Sequence, residues 1–131
     1  MSHRIVVCDD EAHITRAISM KLTKAGFDVE TAPDGQAGWE AVQREQPDMV
    51  ITDYQMPRLD GIELSRRLQQ DPATRSLPII LLTAKGFELD EEQLQAEAPS
   101  IRLFVKPFSP RELLDCVREL LERSETVDTA D

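Results

Sequence analysis

Five short apolar segments recur along the chain, and each has the length of a β-strand. They are RIVVC at 4–8, FDVET at 27–31, DMVIT at 48–52, PIILLT at 78–83 and IRLFV at 101–105. The first, third and fourth are almost continuous in apolar residues, which is typical of strands covered on both faces of a parallel sheet. The second alternates apolar and polar residues, which favours an edge strand. This pattern predicts one parallel sheet with a half-exposed edge.

The segments between these runs have helical spacing. An apolar stripe from Ile14 to Ala25 ends at Gly26, a residue favoured just past a helix end. Asp60 and Glu63 supply the N-cap acceptor and the capping-box acid of a further helix. Strands that alternate with helices predict right-handed β-α units and an α/β sheet covered by helices on both faces.

The last helix has the clearest start, because Ser109, Pro110 and Glu112 supply an N-cap hydroxyl, a first-turn proline and a capping-box acid. Segments 35–46 and 88–98 have weaker helical patterns. Two glycines interrupt the first segment, and the second has five acids and few apolar residues. The sequence therefore predicts a poorly anchored helix at 88–98.

The length of 131 residues matches a single domain, which we expect to cover 1–123, with the polar tail SETVDTAD at 124–131 fraying. The formal net charge of −10 opposes non-specific attraction to nucleic acid or to an anionic membrane, so we expect neither as a direct partner. The sequence has neither a leader pattern nor an apolar run of about 18 residues, which favours a cytoplasmic protein. Cys8 and Cys116 have no disulfide-framework or metal-site spacing, so we expect reduced packing residues.

Chemically active side chains end or directly follow four of the five apolar runs. They are Asp9 and Asp10, Asp53, Thr83, and Lys106. In open parallel sheets, ligands bind beyond the carboxyl ends of the strands. If the first and third runs are neighbours about 4.8 Å apart, their terminal carboxylates come within several ångströms of each other. Two unit charges about 5 Å apart at an effective dielectric near 20 repel by roughly 3 kcal/mol.

A divalent cation relieves this repulsion, and an all-oxygen ligand set with room for water suits Mg²⁺ better than zinc. A carboxylate in such a site can attack phosphorus and form an acyl phosphate, provided that cations cancel the charge. Mg²⁺ and Lys106 would supply that cancellation. Thr83 could donate a hydrogen bond to a phosphoryl oxygen that exists only after the transfer.

Four sequence segments together resemble the receiver domain of bacterial two-component response regulators. They are VVCDDE at 6–11, DMVITDYQMPRLDGIEL at 48–64, PIILLTA at 78–84 and FVKPF at 104–108, in the order and spacing of the family. The resemblance covers about residues 4–122. It implies a flavodoxin-like (βα)5 fold, a doubly wound parallel sheet with strand order 2-1-3-4-5, in which the first and third strands are neighbours.

The resemblance also implies a role for each site residue. These roles are the phosphoacceptor for Asp53, a direct Mg²⁺ ligand for Asp10, a largely water-mediated ligand for Asp9, a carbonyl ligand for Gln55, the switch hydroxyl for Thr83, the phosphate-pairing amine for Lys106, and a cis bond before Pro107. One position departs from the family pattern. Leu103 stands where members often have a Tyr, Phe or His that moves inward on activation, so the last step of switching differs here or involves Phe104.

These observations favour a phosphorylation-dependent switch with no output domain in this chain. A histidine kinase or histidine phosphotransfer protein would phosphorylate Asp53, and a downstream protein would bind through about 87–122. The chain would catalyse its own phosphorylation and slow dephosphorylation without being an enzyme that turns over a separate substrate. Three alternatives remain open: a Mg²⁺-dependent aspartyl phosphohydrolase, a flavodoxin-like cofactor binder, and an interaction module that acts independently of phosphorylation.

Overall fold

The computed structural model describes residues 3–56, 58–84, 90–98 and 100–129. Its strands are β1 (Arg4–Cys8), β2 (Asp28–Ala32), β3 (Met49–Asp53), β4 (Ile79–Ala84) and β5 (Ile101–Lys106). Its helices are α1 (Ala12–Lys24), α2 (Gly35–Glu45), α3 (Gly61–Gln70), α4 (Glu91–Glu97) and α5 (Pro110–Thr129). Each predicted run overlaps one strand, and the bounds differ by no more than one residue at either end.

The five strands form one parallel sheet in the order β2-β1-β3-β4-β5. This order confirms the predicted (βα)5 fold, and β2 lies at the edge as its alternating pattern predicted. The pair β1 and β3 is in register from Ile5 opposite Met49 to Cys8 opposite Thr52. The residues that follow these two strands therefore emerge side by side at the same edge of the sheet.

The sheet is buried between two helical layers. Alternate residues of a strand point to opposite faces, so Val7 packs with Ile18 of α1 and Val117 of α5. Val6 packs on the other face, in a cluster that includes Leu64 of α3. Burial on both faces explains why the central strands are apolar throughout.

The predicted helix starts are confirmed by their caps. The Asp60 carboxylate accepts a hydrogen bond from the backbone N–H of Glu63 at 2.8 Å, and the Ser109 hydroxyl accepts one from that of Glu112 at 3.1 Å. Asp34 caps α2 in the same way, by accepting from the N–H of Ala37 at 2.8 Å. These side chains satisfy N–H groups that have no partner within the first helical turn.

The C-terminal boundary differs from the prediction. Helix α5 extends to Thr129, beyond the expected domain end at 123, and the fraying of the tail at 124–131 stays a prediction. The segment 124–129 contains neither glycine nor proline, so no residue there breaks a helix that is already nucleated and packed. Residues 130 and 131 lie outside the described part of the chain.

Helix α4 is better anchored than its composition predicted. It spans Glu91–Glu97, and the predicted start at 88 and 89 falls outside the described residues. Its anchor is polar: the Glu91 carboxylate accepts a hydrogen bond from the N–H of Leu103 at 2.7 Å, and the Gln95 amide donates to the carbonyl of Ile101 at 3.1 Å. A count of apolar residues could not detect this attachment.

Both cysteines are buried with free thiols, as predicted. Burial raises the pKa of Cys8 to about 12, so its thiol stays protonated and packs as a small apolar group. Among the described residues, no helix combines the length and the apolar character needed to cross a membrane.

Candidate functional site

An acidic cluster lies at the carboxyl edge of the sheet, where the sequence predicted it. Asp9 and Asp10 directly follow β1, and Asp53 is the last residue of β3. Each of the three carboxylates offers one oxygen, and these oxygens all lie within 4.8 Å of one another. Asp9 and Asp53 are buried, whereas Asp10 is exposed. The adjacent positions of β1 and β3 in the sheet produce this cluster.

Lys106, at the end of β5, contacts the cluster from across the sheet. Its Nζ lies 3.2 Å from Oδ2 of Asp9, 3.3 Å from Oδ1 of Asp53 and 3.0 Å from Oε1 of Glu11. The lysine side chain is 15% exposed, so these contacts are largely shielded from water. One ammonium thus contacts three carboxylates, and the site keeps an excess of negative charge.

Burial, and to a lesser extent the neighbouring charges, shift the pKa values of the site. Burial of the carboxyl group, with a further contribution from the charge of Asp9, raises the pKa of Asp53 to about 6, although Lys106 opposes the shift. Burial also raises the pKa of Asp9. Burial by itself would lower the pKa of Lys106, but the hydrogen bond to Glu11 and the charges of Asp9 and Asp53 together raise it. The positive charge of Lys106 therefore does not fully offset the cost of burying the Asp53 carboxylate.

The residues present fit a magnesium ion. Hard divalent cations prefer carboxylate and carbonyl oxygens, and the cluster offers three carboxylates at close range. Gln55 lies beside it, and an open cleft of about 260 Å³ exposes Asp10, Asp53 and Lys106 on the same side. The raised pKa of Asp53 identifies a carboxylate that a second cation would stabilise.

Thr83 is buried near the end of β4, one residue beyond the position paired with Asp53. Its hydroxyl lies 3.5 Å from the carbonyl oxygen of Ala84, at the limit of a hydrogen bond. The structure thus places the predicted switch hydroxyl on the strand next to the acidic cluster, and this long contact is its one hydrogen bond among the described residues. The bond between Lys106 and Pro107 is cis, as predicted.

The two candidates for the last step of switching lie on opposite faces of the sheet. Leu103 packs with the α2–α3–α4 face, the face to which strand alternation also directs Thr83. Phe104 packs on the α1–α5 face, where its ring meets that of Phe108 edge-on at 5.3 Å. Phe104 therefore does not replace the missing aromatic on the Thr83 side.

Sequence reasoning assigned no role to Glu11, although its carboxylate makes the shortest of the three Lys106 contacts. A local signal was present. Glu11 is the N-cap residue of α1, a position where Ser, Thr, Asp or Asn is favoured, and its side chain makes no capping hydrogen bond. The partner of that side chain could not be read from sequence, because Lys106 lies 95 residues away.

A (βα)5 sheet with an acidic cluster and a lysine at its carboxyl edge defines a receiver-type signalling domain. Comparison with known proteins agrees, since the model of the response regulator receiver domain family matches residues 5–118. The chain belongs to this family.

Particular relatives are transcriptional regulators. The chain is 39% identical over 125 residues to the alkaline phosphatase synthesis transcriptional regulatory protein PhoP of Bacillus subtilis, covering 95% of this chain and 51% of that protein. It is 38% identical over 120 residues to the phosphate regulon transcriptional regulatory protein PhoB of Pseudomonas aeruginosa, covering 92% and 52% respectively. The chain thus spans about half the length of the curated relatives it matches.

Solved structures show the same fold. A response regulator from Chloroflexus aurantiacus has a TM-score of 0.83 at 31% identity, with 93% of this chain and 99% of that chain covered. The chemotaxis protein CheY4 of Vibrio cholerae has a TM-score of 0.82 at 27% identity, with coverage of 92% and 99%.

Proposed function

We propose that this chain is a Mg²⁺-dependent phosphorylation switch in a two-component system and that Asp53 is its phosphoacceptor. One observation carries the proposal: the Asp53 carboxylate is buried between Asp9, Asp10 and Lys106, with a pKa raised to about 6. A structural carboxylate would gain nothing from two neighbouring acids. A phosphoacceptor needs these acids to hold a metal ion that neutralises the negative charge of the incoming phosphoryl group.

In the proposed reaction, a carboxylate oxygen of Asp53 attacks the phosphorus of a phosphohistidine. A new P–O bond forms, the P–N bond of the donor breaks, and the leaving imidazole takes a proton from solvent. Bound Mg²⁺ would neutralise charge on the phosphoryl oxygens, with Asp9, Asp10, Asp53 and the carbonyl of Gln55 as its protein ligands. Lys106 positions its ammonium beside the attacking carboxylate and stabilises the product anion.

Transfer would then move Thr83. Among the described residues its hydroxyl makes one long contact, at 3.5 Å to the carbonyl oxygen of Ala84, and a new phosphoryl oxygen would compete easily with that contact. A shift at the end of β4 would change the surface of about 87–122, of which 87–89 and 99 lie outside the described residues. The phosphoryl group changes partner affinity only as far as it stabilises one conformation over the other.

The partners follow from the family. Membership implies a histidine kinase as the phosphodonor, and we extend this to a kinase or a histidine phosphotransfer protein acting on Asp53. The target that binds the 87–122 surface is a protein. The names of PhoP and PhoB describe transcriptional regulators, and this chain spans about half of their length.

The test is to incubate the purified chain with Mg²⁺ and acetyl phosphate and to measure its mass. We expect a gain of about 80 Da in wild type, as for one phosphoryl group, and no gain for Asp53→Asn. Asp115→Asn, which removes one exposed aspartate of α5, is the matched control and should gain the same mass as wild type. Trp39 fluorescence can follow the reaction in time.

The result separates the remaining alternatives. Absence of the mass gain in wild type would contradict the proposal and favour a phosphorylation-independent interaction module. Continuous release of phosphate from a small phosphate ester, lost in Asp53→Asn, would instead indicate a phosphohydrolase. A stoichiometric gain that decays slowly is the outcome expected of a switch that catalyses only its own modification.

A further inference from the structure

Glu11 is placed unusually for a helix N-cap. The carboxylate of an N-cap side chain ordinarily accepts a hydrogen bond from the first turn, and losing such a bond costs about 1 kcal/mol. The Glu11 side chain makes no such bond. It extends toward β5 and accepts a hydrogen bond from Lys106 at 3.0 Å, while its own backbone N–H donates to Oδ1 of Asp9 at 2.9 Å.

Lys106 is held by two carboxylates and lies beside a third. Its ammonium donates hydrogen bonds to Oδ2 of Asp9 at 3.2 Å and to Oε1 of Glu11 at 3.0 Å, and its Nζ lies 3.3 Å from Oδ1 of Asp53. A phosphoryl oxygen on Asp53 would draw the ammonium toward itself, and one of these two hydrogen bonds would then lengthen or break. The Asp9 side chain is fully buried and that of Asp53 is 9% exposed, whereas that of Glu11 is 46% exposed. Only the Glu11 carboxylate can exchange its ammonium partner for water at little cost.

We propose that Glu11 is a positioning residue that holds the Lys106 ammonium through a hydrogen bond in the unphosphorylated protein. During transfer to Asp53, the ammonium gives up this hydrogen bond and donates to a phosphoryl oxygen instead. The inference rests on the proposed function of Asp53. An interaction that is present before the reaction and weakened in its transition state raises the barrier. Glu11 therefore slows phosphorylation, and it competes with the phosphoryl group for Lys106 afterwards.

The experiment measures the rate of Asp53 phosphorylation with acetyl phosphate and Mg²⁺ in wild type and two Glu11 variants. Glu11→Gln keeps the shape of the side chain and removes its charge. Glu11→Asp keeps the charge but is one methylene shorter and is a favoured N-cap, so its carboxylate should turn to the helix backbone. We expect both variants to react about two- to fivefold faster, the range for loss of a half-exposed ion pair.

Two controls separate release of Lys106 from a general electrostatic effect. Glu40→Gln removes the same charge from an exposed position of α2 and should react at the wild-type rate. Phosphoramidate carries less negative charge than acetyl phosphate, so a general effect of charge would be smaller with it. Release of Lys106 predicts the same acceleration with both donors.

Each outcome is decisive. If wild type is not phosphorylated at all, the proposed function fails and the inference fails with it. If wild type is phosphorylated but both Glu11 variants react at its rate or more slowly, only the inference is overturned. Faster phosphorylation of Glu11→Gln but not of Glu11→Asp would also overturn the inference, because the loss of one negative charge would then explain the effect. Circular dichroism confirms that each variant is folded.

Discussion

At the scale of single residues, chemistry and stability make opposite demands on Asp53. Its carboxylate is buried among acids, and burial together with the Asp9 charge raises its pKa to about 6. The folded protein therefore binds this proton more tightly than the unfolded chain, whose aspartates titrate near pH 4. The resulting stabilisation is present below about pH 4 and is lost as the pH rises through 6. At neutral pH the charged carboxylate destabilises the fold.

Asp53→Asn should accordingly raise the free energy of unfolding at pH 7.5 in EDTA, by up to about 3 kcal/mol for a shift near two pKa units. The difference from wild type should shrink at pH 4.5, where the native carboxyl is protonated. Urea unfolding of both proteins at the two pH values measures it. A wild type as stable as the variant at pH 7.5 would contradict this account of Asp53.

Gly61 supports the site through its lack of a side chain. A Cβ at this position would collide with the backbone carbonyl of Asp53 and with the side chain of Leu81. Because backbone yields little, Gly61→Ala should destabilise the fold by about 1–3 kcal/mol and slow Asp53 phosphorylation. Gly26→Ala, where a Cβ meets open space but φ is +101°, is the comparison variant and should leave the phosphorylation rate unchanged.

At the scale of secondary structure elements, α4 and β5 form a polar attachment. β5 is an edge strand, whose outward N–H and C=O groups lack a neighbouring strand. Glu91 and Gln95, one helical turn apart, bond to Leu103 and Ile101 of that edge. This attachment closes part of the sheet edge and joins α4 to the strand that carries Lys106.

Glu91→Ala should therefore increase hydrogen exchange at the Leu103 amide roughly tenfold, the effect of losing a hydrogen bond to a charged group worth about 1.4 kcal/mol. Glu92→Ala removes an exposed neighbour on the same helix and serves as the control. Hydrogen exchange of the Leu103 amide, measured by NMR, distinguishes the Glu91→Ala variant from the Glu92→Ala control. Equal protection of Leu103 in wild type and Glu91→Ala would show that this bond does not hold α4 to β5.

At the scale of the whole molecule, the net charge of −10 and the acidic cluster lead us to expect that stability depends on cations. A ligand that binds only the folded state stabilises it by an amount that grows with the logarithm of its concentration, about 2.7 kcal/mol at 100 times its Kd. The same cation also screens general repulsion between acidic side chains, which salt of any kind would do. The two effects must be separated experimentally.

Millimolar Mg²⁺ should raise the Tm of wild type above its value in NaCl of equal ionic strength. The additional rise in Tm with Mg²⁺ should be greatly reduced in Asp10→Asn, because this variant loses an exposed carboxylate of the cluster while the fold keeps its core. Thermal unfolding followed by circular dichroism measures both. Equal responses to Mg²⁺ and NaCl in wild type would argue against a specific magnesium site.

The sequence by itself determined the elements, their order along the chain and the composition of the acidic site. Strand and helix periodicity and the caps at Asp60 and Ser109 are local signals, and each acts within a few residues. Asp9, Asp10, Asp53 and Lys106 could be assigned together because the carboxyl ends of parallel strands meet at one edge of the sheet.

Only the tertiary structure decided which side chains actually touch. The Glu11–Lys106 contact, the attachment of α4 to β5 and the placement of Phe104 away from Thr83 depend on the packing of residues distant in sequence. Short-range patterns specify where a strand or helix forms, whereas the partner of a charged side chain is set by distances that exist only once the sheet is assembled.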